Sequence, residues 1–116
     1  MQTVEVEKGK SHILTELIEY TPHSIVFKTV LRKNTGTIRI GAIDKGEVLA
    51  KKVYPFDLYL QIIDGTAAVL IDKEQTIIEM GTAIIIPAHT SHLIRAVVPI
   101  KMLLTVLKSG YEENMI

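Results

Sequence analysis

The stretch GTAIIIPAHTSHLIRA, residues 81–96, decides how the fold of this chain is read. Gly81 precedes a short run of isoleucines, the run stops at Pro87, and a second apolar stretch starts at Leu93. A short β-branched run bounded by glycine and proline predicts a buried strand, then a turn, then another strand. Two of the four histidines of the chain, His89 and His92, stand in that turn three residues apart. The pair is either half of a metal site or two histidines with separate roles.

The pattern extends outward from there. Upstream, SIVFKTVLR ends in the turn signal KNTG, and TGTIRIGAI follows. DKG separates that run from EVLAKKVY, and PFD interrupts before LYLQII. Asp64–Gly65 joins LYLQII to TAAVLID, which predicts a hairpin. KEQ turns into TIIEM, and downstream SHLIRAVV and IKMLLTVLK flank Pro99. About nine short strands with turn signals every 8–12 residues predict an all-β sandwich or barrel. No helical pattern of roughly 10–15 residues lies between strands, which excludes βαβ units. The exception is SHILTELIEY, residues 11–20, where Ile13, Leu14, Leu17 and Ile18 recur at helical spacing and Ser11 is placed to cap. That segment reads as a short helix or an irregular lead-in strand. The expected organisation is a lead-in over residues 1–23, a β-barrel over 24–109 and a loose tail over 110–116.

Composition narrows the function. A chain of 116 residues, 47% hydrophobic, suits one globular domain. Thirteen basic and thirteen acidic residues give zero net charge, which argues against a nucleic-acid binder or a polybasic membrane anchor and leaves self-association open. With no cysteine there are no disulfides, thiolate ligands or cysteine nucleophiles. With no tryptophan, four tyrosines and two phenylalanines, a base-stacking platform is not expected. The apolar runs are far shorter than the roughly 20 residues of a membrane span, and MQTVEVEKGKSH does not resemble a signal peptide. The expected compartment is the cytoplasm.

Gly46, Gly65, Gly81, Pro87 and His92 stand at a spacing that resembles the two motifs of the cupin superfamily. The second motif matches at Gly81, Pro87 and His92, with His89 in place of a glycine and Ala96 in place of an asparagine. The first matches at Gly46 and Gly65, while its two histidine positions fall on Lys52 and Tyr54 and its glutamate position on Leu58. The resemblance covers roughly residues 35–108, and PAHTSHLIRAVVPIKMLLT is similar to the corresponding turn and strand of small single-domain conserved-barrel cupins. It implies a double-stranded β-helix (jelly-roll) barrel. It also implies a homodimer formed through the N-terminal segment.

Of the ligand positions that the resemblance implies, only His92 is retained. Lys52 is a cation and Leu58 has no donor, so no metal and no other cofactor are expected, with His89 a weak second candidate ligand and a divalent transition metal the alternative. At the turn position of His89 a left-handed backbone is expected, and histidine tolerates it better than most residues. Lys52 and Tyr54, two residues apart on one strand, share a face and would join His92 in a pocket offering an ammonium, a phenol and an imidazole. Leu58 and Leu60 are candidates for its apolar wall. The leading expectation is a metal-poor barrel that binds a small, anionic molecule. The alternatives are a metal-dependent cupin enzyme of dioxygenase, isomerase or decarboxylase type with relocated ligands, and a sensor or interaction module.

Overall fold

The computed structural model describes residues 5–108, so the tail expected over 110–116 lies outside the described residues. Nine strands form, each on one of the β-branched runs. They are β1 (Ile25–Lys33), β2 (Gly36–Ile43), β3 (Val48–Val53), β4 (Leu58–Asp64), β5 (Thr66–Ile71), β6 (Glu74–Glu79), β7 (Ala83–Ile86), β8 (Ser91–Ala96) and β9 (Ile100–Leu107). The chain is all-β, with one 3-10 turn at Leu14–Glu16.

The strands are antiparallel and arranged in two sheets, β1-β2-β9-β4-β7 and β3-β8-β5-β6. Pairing is nested: β5 with β6, β4 with β7, β3 with β8 and β2 with β9. A long hairpin wrapped on itself gives this jelly-roll, the double-stranded β-helix. Two sheets face each other because alternate side chains are apolar. Leu58, Leu60 and Ile62 on one sheet and Ile94 and Ala96 on the other belong to a single buried cluster.

The expected hairpin at Asp64–Gly65 does not form. β4 and β5 lie in different sheets, and Asp64–Gly65 is the corner between them. Gly65 is required there twice over: its φ is +85°, and a Cβ would run into the Pro99 carbonyl oxygen. The crossing is held by the Met80 N–H donating to the Gly65 carbonyl (3.1 Å) and the Gly81 N–H to that of Ile62 (2.9 Å). A local Asp-Gly signal marks a sharp change of direction, and here the nested long-range pairing turned it into a change of sheet.

The lead-in is irregular apart from its 3-10 turn. Ile13, and not Ser11, flanks that turn at its N-terminal end, and it makes no side-chain cap. What fixes the segment is its packing. Leu17, Ile18 and Tyr20 cover Ile40 and Ala42 on the outer face of β2. The Tyr20 hydroxyl donates to Asp64 Oδ2 (2.7 Å), and Lys101 Nζ donates to the Thr15 carbonyl (2.5 Å). β2 is therefore enclosed on both faces, which decides where its polar residues can go. Among the described residues no helix is long and apolar enough to cross a membrane.

Candidate functional site

The inner face of the five-stranded sheet is not uniform. Toward β4 and β7 it carries Leu58, Leu60, Ile62 and Ile86, all buried. Toward β1 and β2 it carries Phe27, Thr29, Thr37 and Arg39, and there a cleft opens. The register explains this. On β2, Thr37, Arg39, Gly41 and Ile43 pair with Val106, Leu104, Met102 and Ile100 of β9, whose side chains point inward. Ile38, Ile40 and Ala42 then face outward.

The cleft has two compartments. An inner chamber of about 230 Å³ is lined by Phe27, Arg39, Leu49, Lys52, Tyr54, His92, Ile94 and Leu104. A more open outer compartment of about 540 Å³ shares Phe27, Arg39, Tyr54 and Leu104 with it and adds Arg32, Lys108, Thr29, Thr37, Phe56 and Val106. Lys52, Tyr54 and His92 thus border one space. Lys52 stands opposite His92 in the β3–β8 pairing, and the Tyr54 and His92 rings lie 5.8 Å apart between centroids at a 34° tilt. Lys52 remains exposed and Tyr54 half-buried, while His92 is only 4% exposed.

Leu58 and Leu60 are placed differently from expectation. They sit in the central core and not on the cleft wall, because β4 lies two strands away from β2 across β9. Leu49, Ile94, Leu104 and Phe27 supply the apolar wall instead. His89 also stands apart. It is exposed, its φ is +65°, and its N–H donates to the Tyr54 carbonyl (2.7 Å), so it holds the turn beneath Tyr54 without lining the chamber.

Arg39 is the residue that the sequence reading passed over. Its guanidinium carbon lies 4.0 Å from the centroid of the Phe27 ring. Phe27 can lie flat there because its cross-strand partner is Gly41, where any Cβ would collide with the ring. Half-buried and stacked, the guanidinium has no hydrogen-bond or ion-pair partner among the described residues. Arg32 and Leu49 were also missed, each because of a β-bulge. The shift between Thr29 and Leu31 returns Arg32 to the inner face opposite Thr37. The shift between Leu49 and Lys52 puts both of those residues opposite inward positions of β8.

No protein-family model matches the sequence, and no curated protein matches it. Solved structures do match. A conserved protein of unknown function from Streptococcus pyogenes superposes with a TM-score of 0.87 at 27% identity, over 95% of this chain and 97% of that one. A cupin superfamily protein from Desulfitobacterium hafniense gives 0.85 at 20% identity, over 94% and 100%. A cupin 2 conserved barrel domain protein from Leptotrichia buccalis gives 0.78 at 28% identity, over 81% of this chain and 46% of that one. The chain has the fold of a small cupin. It spans less than half the length of the Leptotrichia protein.

In this cupin-fold chain the positions that the motifs assign to metal ligands are Lys52, Tyr54, Leu58 and His92. They do not fit a divalent ion. Lys52 is a cation beside His92, Leu58 is 2% exposed in the core, and Arg39 adds a second positive charge to the same chamber. Among the described residues no group of three or more His, Cys, Asp or Glu side chains is placed to hold a metal. The electrostatics of the cupin chamber instead keep His92 neutral. Burial lowers its pKa below the usual 6.5, the Lys52 ammonium adds to that, and a backbone contact with Thr90 acts in the opposite direction. Its Nδ1 is enclosed and has no hydrogen-bond partner.

Proposed function

We propose that this cupin binds a small anionic molecule in the cleft at its β1–β2 end. One observation carries the reading. Arg32, Arg39, Lys52 and Lys108 line the two compartments, and among the described residues no aspartate or glutamate lines either. The carboxylate of Glu5 accepts the Arg32 backbone N–H (3.1 Å) but is not on the lining. Cations gathered around a concavity without a counter-charge create a field that favours an anion. Arg39 is central to it, because a guanidinium oriented by stacking on an aromatic ring offers its planar fork to a carboxylate or phosphate with little ordering cost.

The test is isothermal titration of the protein with citrate and with inorganic phosphate, beside Arg39→Gln. Saturable binding of either anion that weakens at least tenfold in the variant is the expected result. Binding that ignores Arg39, or no binding of any small anion, would overturn the reading. The geometry favours no second reading, because a metal-dependent enzyme with relocated ligands needs a donor set that the described residues do not bring together.

A further inference from the structure

We propose, resting on the anion-binding reading above, that the ligand of this cleft is a short aliphatic dicarboxylate. One carboxylate lies on Arg39 and the other on Arg32, farther out along the same strands.

The strand register sets these two points apart. On the inner face of the five-stranded sheet, Phe27 stands opposite Gly41, Thr29 opposite Arg39, and Arg32 opposite Thr37. Gly41, Arg39 and Thr37 stand in turn opposite Met102, Leu104 and Val106 of β9. Successive rungs of this ladder are two residues, about 7 Å, apart. Both guanidinium groups lean one rung inward. Arg32 Nη2 lies 3.5 Å from Thr29 Oγ1, and the guanidinium carbon of Arg39 lies 4.0 Å from the centroid of the Phe27 ring. Thr29 and Phe27 are themselves one rung apart, so the two groups are staggered along the cleft. A guanidinium engages a carboxylate best as a planar fork, edge to edge. The two oxygens of a single carboxylate are too close together to meet both forks in that way. Two carboxylates on one chain meet one fork each.

Each guanidinium has an ammonium on the same side of the cleft. Lys108 lines the outer compartment with Arg32, and Lys52 lines the inner chamber with Arg39. The Lys108 N–H donates to the Thr35 carbonyl (2.8 Å), which keeps it in step with β2 just beyond the Thr37 rung. The four cations are thus divided between two ends, and a monoanion would leave most of their charge uncompensated. The surface between the ends is apolar where β9 supplies it. Leu104 lines both compartments and Val106 the outer one, on the rungs of Arg39 and Thr37. Methylene groups lie on such a surface without losing a hydrogen bond.

The experiment is isothermal titration with three pairs of probes: butanoate with succinate, pentanoate with glutarate, and hexanoate with adipate. Sulfate serves as a compact dianion. For at least one pair the dicarboxylate should bind about tenfold more tightly than its monocarboxylate partner, as expected for one added charge-assisted contact. That dicarboxylate should also bind severalfold more tightly than sulfate, which carries the same charge without the spacing. In Arg32→Gln its advantage over the monocarboxylate should vanish. Arg32 is exposed, so this variant should fold as wild type does, and its thermal midpoint checks that.

Equal affinity within every pair overturns the two-point proposal. An advantage that persists in Arg32→Gln, or sulfate binding as tightly as the best dicarboxylate, overturns it as well. If binding in those cases still depends on Arg39, the anion-binding reading stands. Failure of all six acids and of sulfate to bind removes both readings.

Discussion

Arg39 stands between two isoleucines, and in the fold it faces the interior while Ile38 and Ile40 face outward. Its position depends on two neighbours, Phe27 beneath the guanidinium and Gly41 making room for that ring. Adding one methyl group tests the arrangement. Gly41→Ala must displace Phe27, and overpacking of this kind costs about 1–3 kcal/mol. Urea unfolding should show that loss, and citrate affinity should fall severalfold because the guanidinium loses its support. His92 offers a second test at this scale. Its folded pKa is lowered, so the unfolded chain takes up a proton below about pH 6.5 more readily than the folded protein does. The contribution of neutral His92 to stability is fully present above that value. It is lost progressively as pH falls from there toward the folded pKa. The thermal midpoint should therefore drop more steeply in wild type than in His92→Gln between about pH 7 and 5. Parallel curves for the two proteins would show that the imidazole is not desolvated as the structure implies.

At the scale of elements, the strands were readable and their faces only partly so. Alternation correctly placed Leu58, Leu60 and Ile62 on one buried face, and it put Lys52 and Tyr54 on the side of His92. It failed for Arg32 and Leu49, because each lies next to a register shift that inserts one extra residue. Nothing in SIVFKTVLR or EVLAKKVY marks a bulge, since a bulge is a property of the pair of strands and not of either one. The lead-in shows a related limit. Its i, i+1, i+4, i+5 apolar spacing suggested a helix, but those side chains are used by the outer face of β2, and only a 3-10 turn forms. Tyr20 ties that segment down. Burial and the hydrogen bond to Asp64 raise the Tyr20 pKa. Tyr20→Phe should cost about 1.5–3 kcal/mol, as for a hydrogen bond to a charged acceptor. Amide exchange at Ile40 and Ala42 should also quicken. Unchanged exchange would mean that apolar packing alone holds the lead-in.

For the whole molecule, zero net charge conceals an uneven distribution. Thirteen basic and thirteen acidic residues cancel, yet among the described residues those lining the cleft include four cations and no carboxylate. The affinity for citrate should therefore fall severalfold between about 0.05 and 0.5 M sodium chloride, because the screening length shrinks from more than 10 Å to a few ångström. Salt-independent affinity would point to a ligand held by apolar contact. The sequence by itself determined the nine strands, the turns between them and the glycine–proline spacing of a cupin, since β-branched runs and chain breakers act on their immediate neighbours. It also placed three polar residues near one another. Only the tertiary structure decided that Asp64–Gly65 is a corner and not a hairpin, that Leu58 and Leu60 belong to the core, and that Arg39 points inward with Phe27 beneath it. Those outcomes depend on pairings such as β2 with β9 and on which sheet faces are covered, and such long-range contacts leave no local trace in the chain.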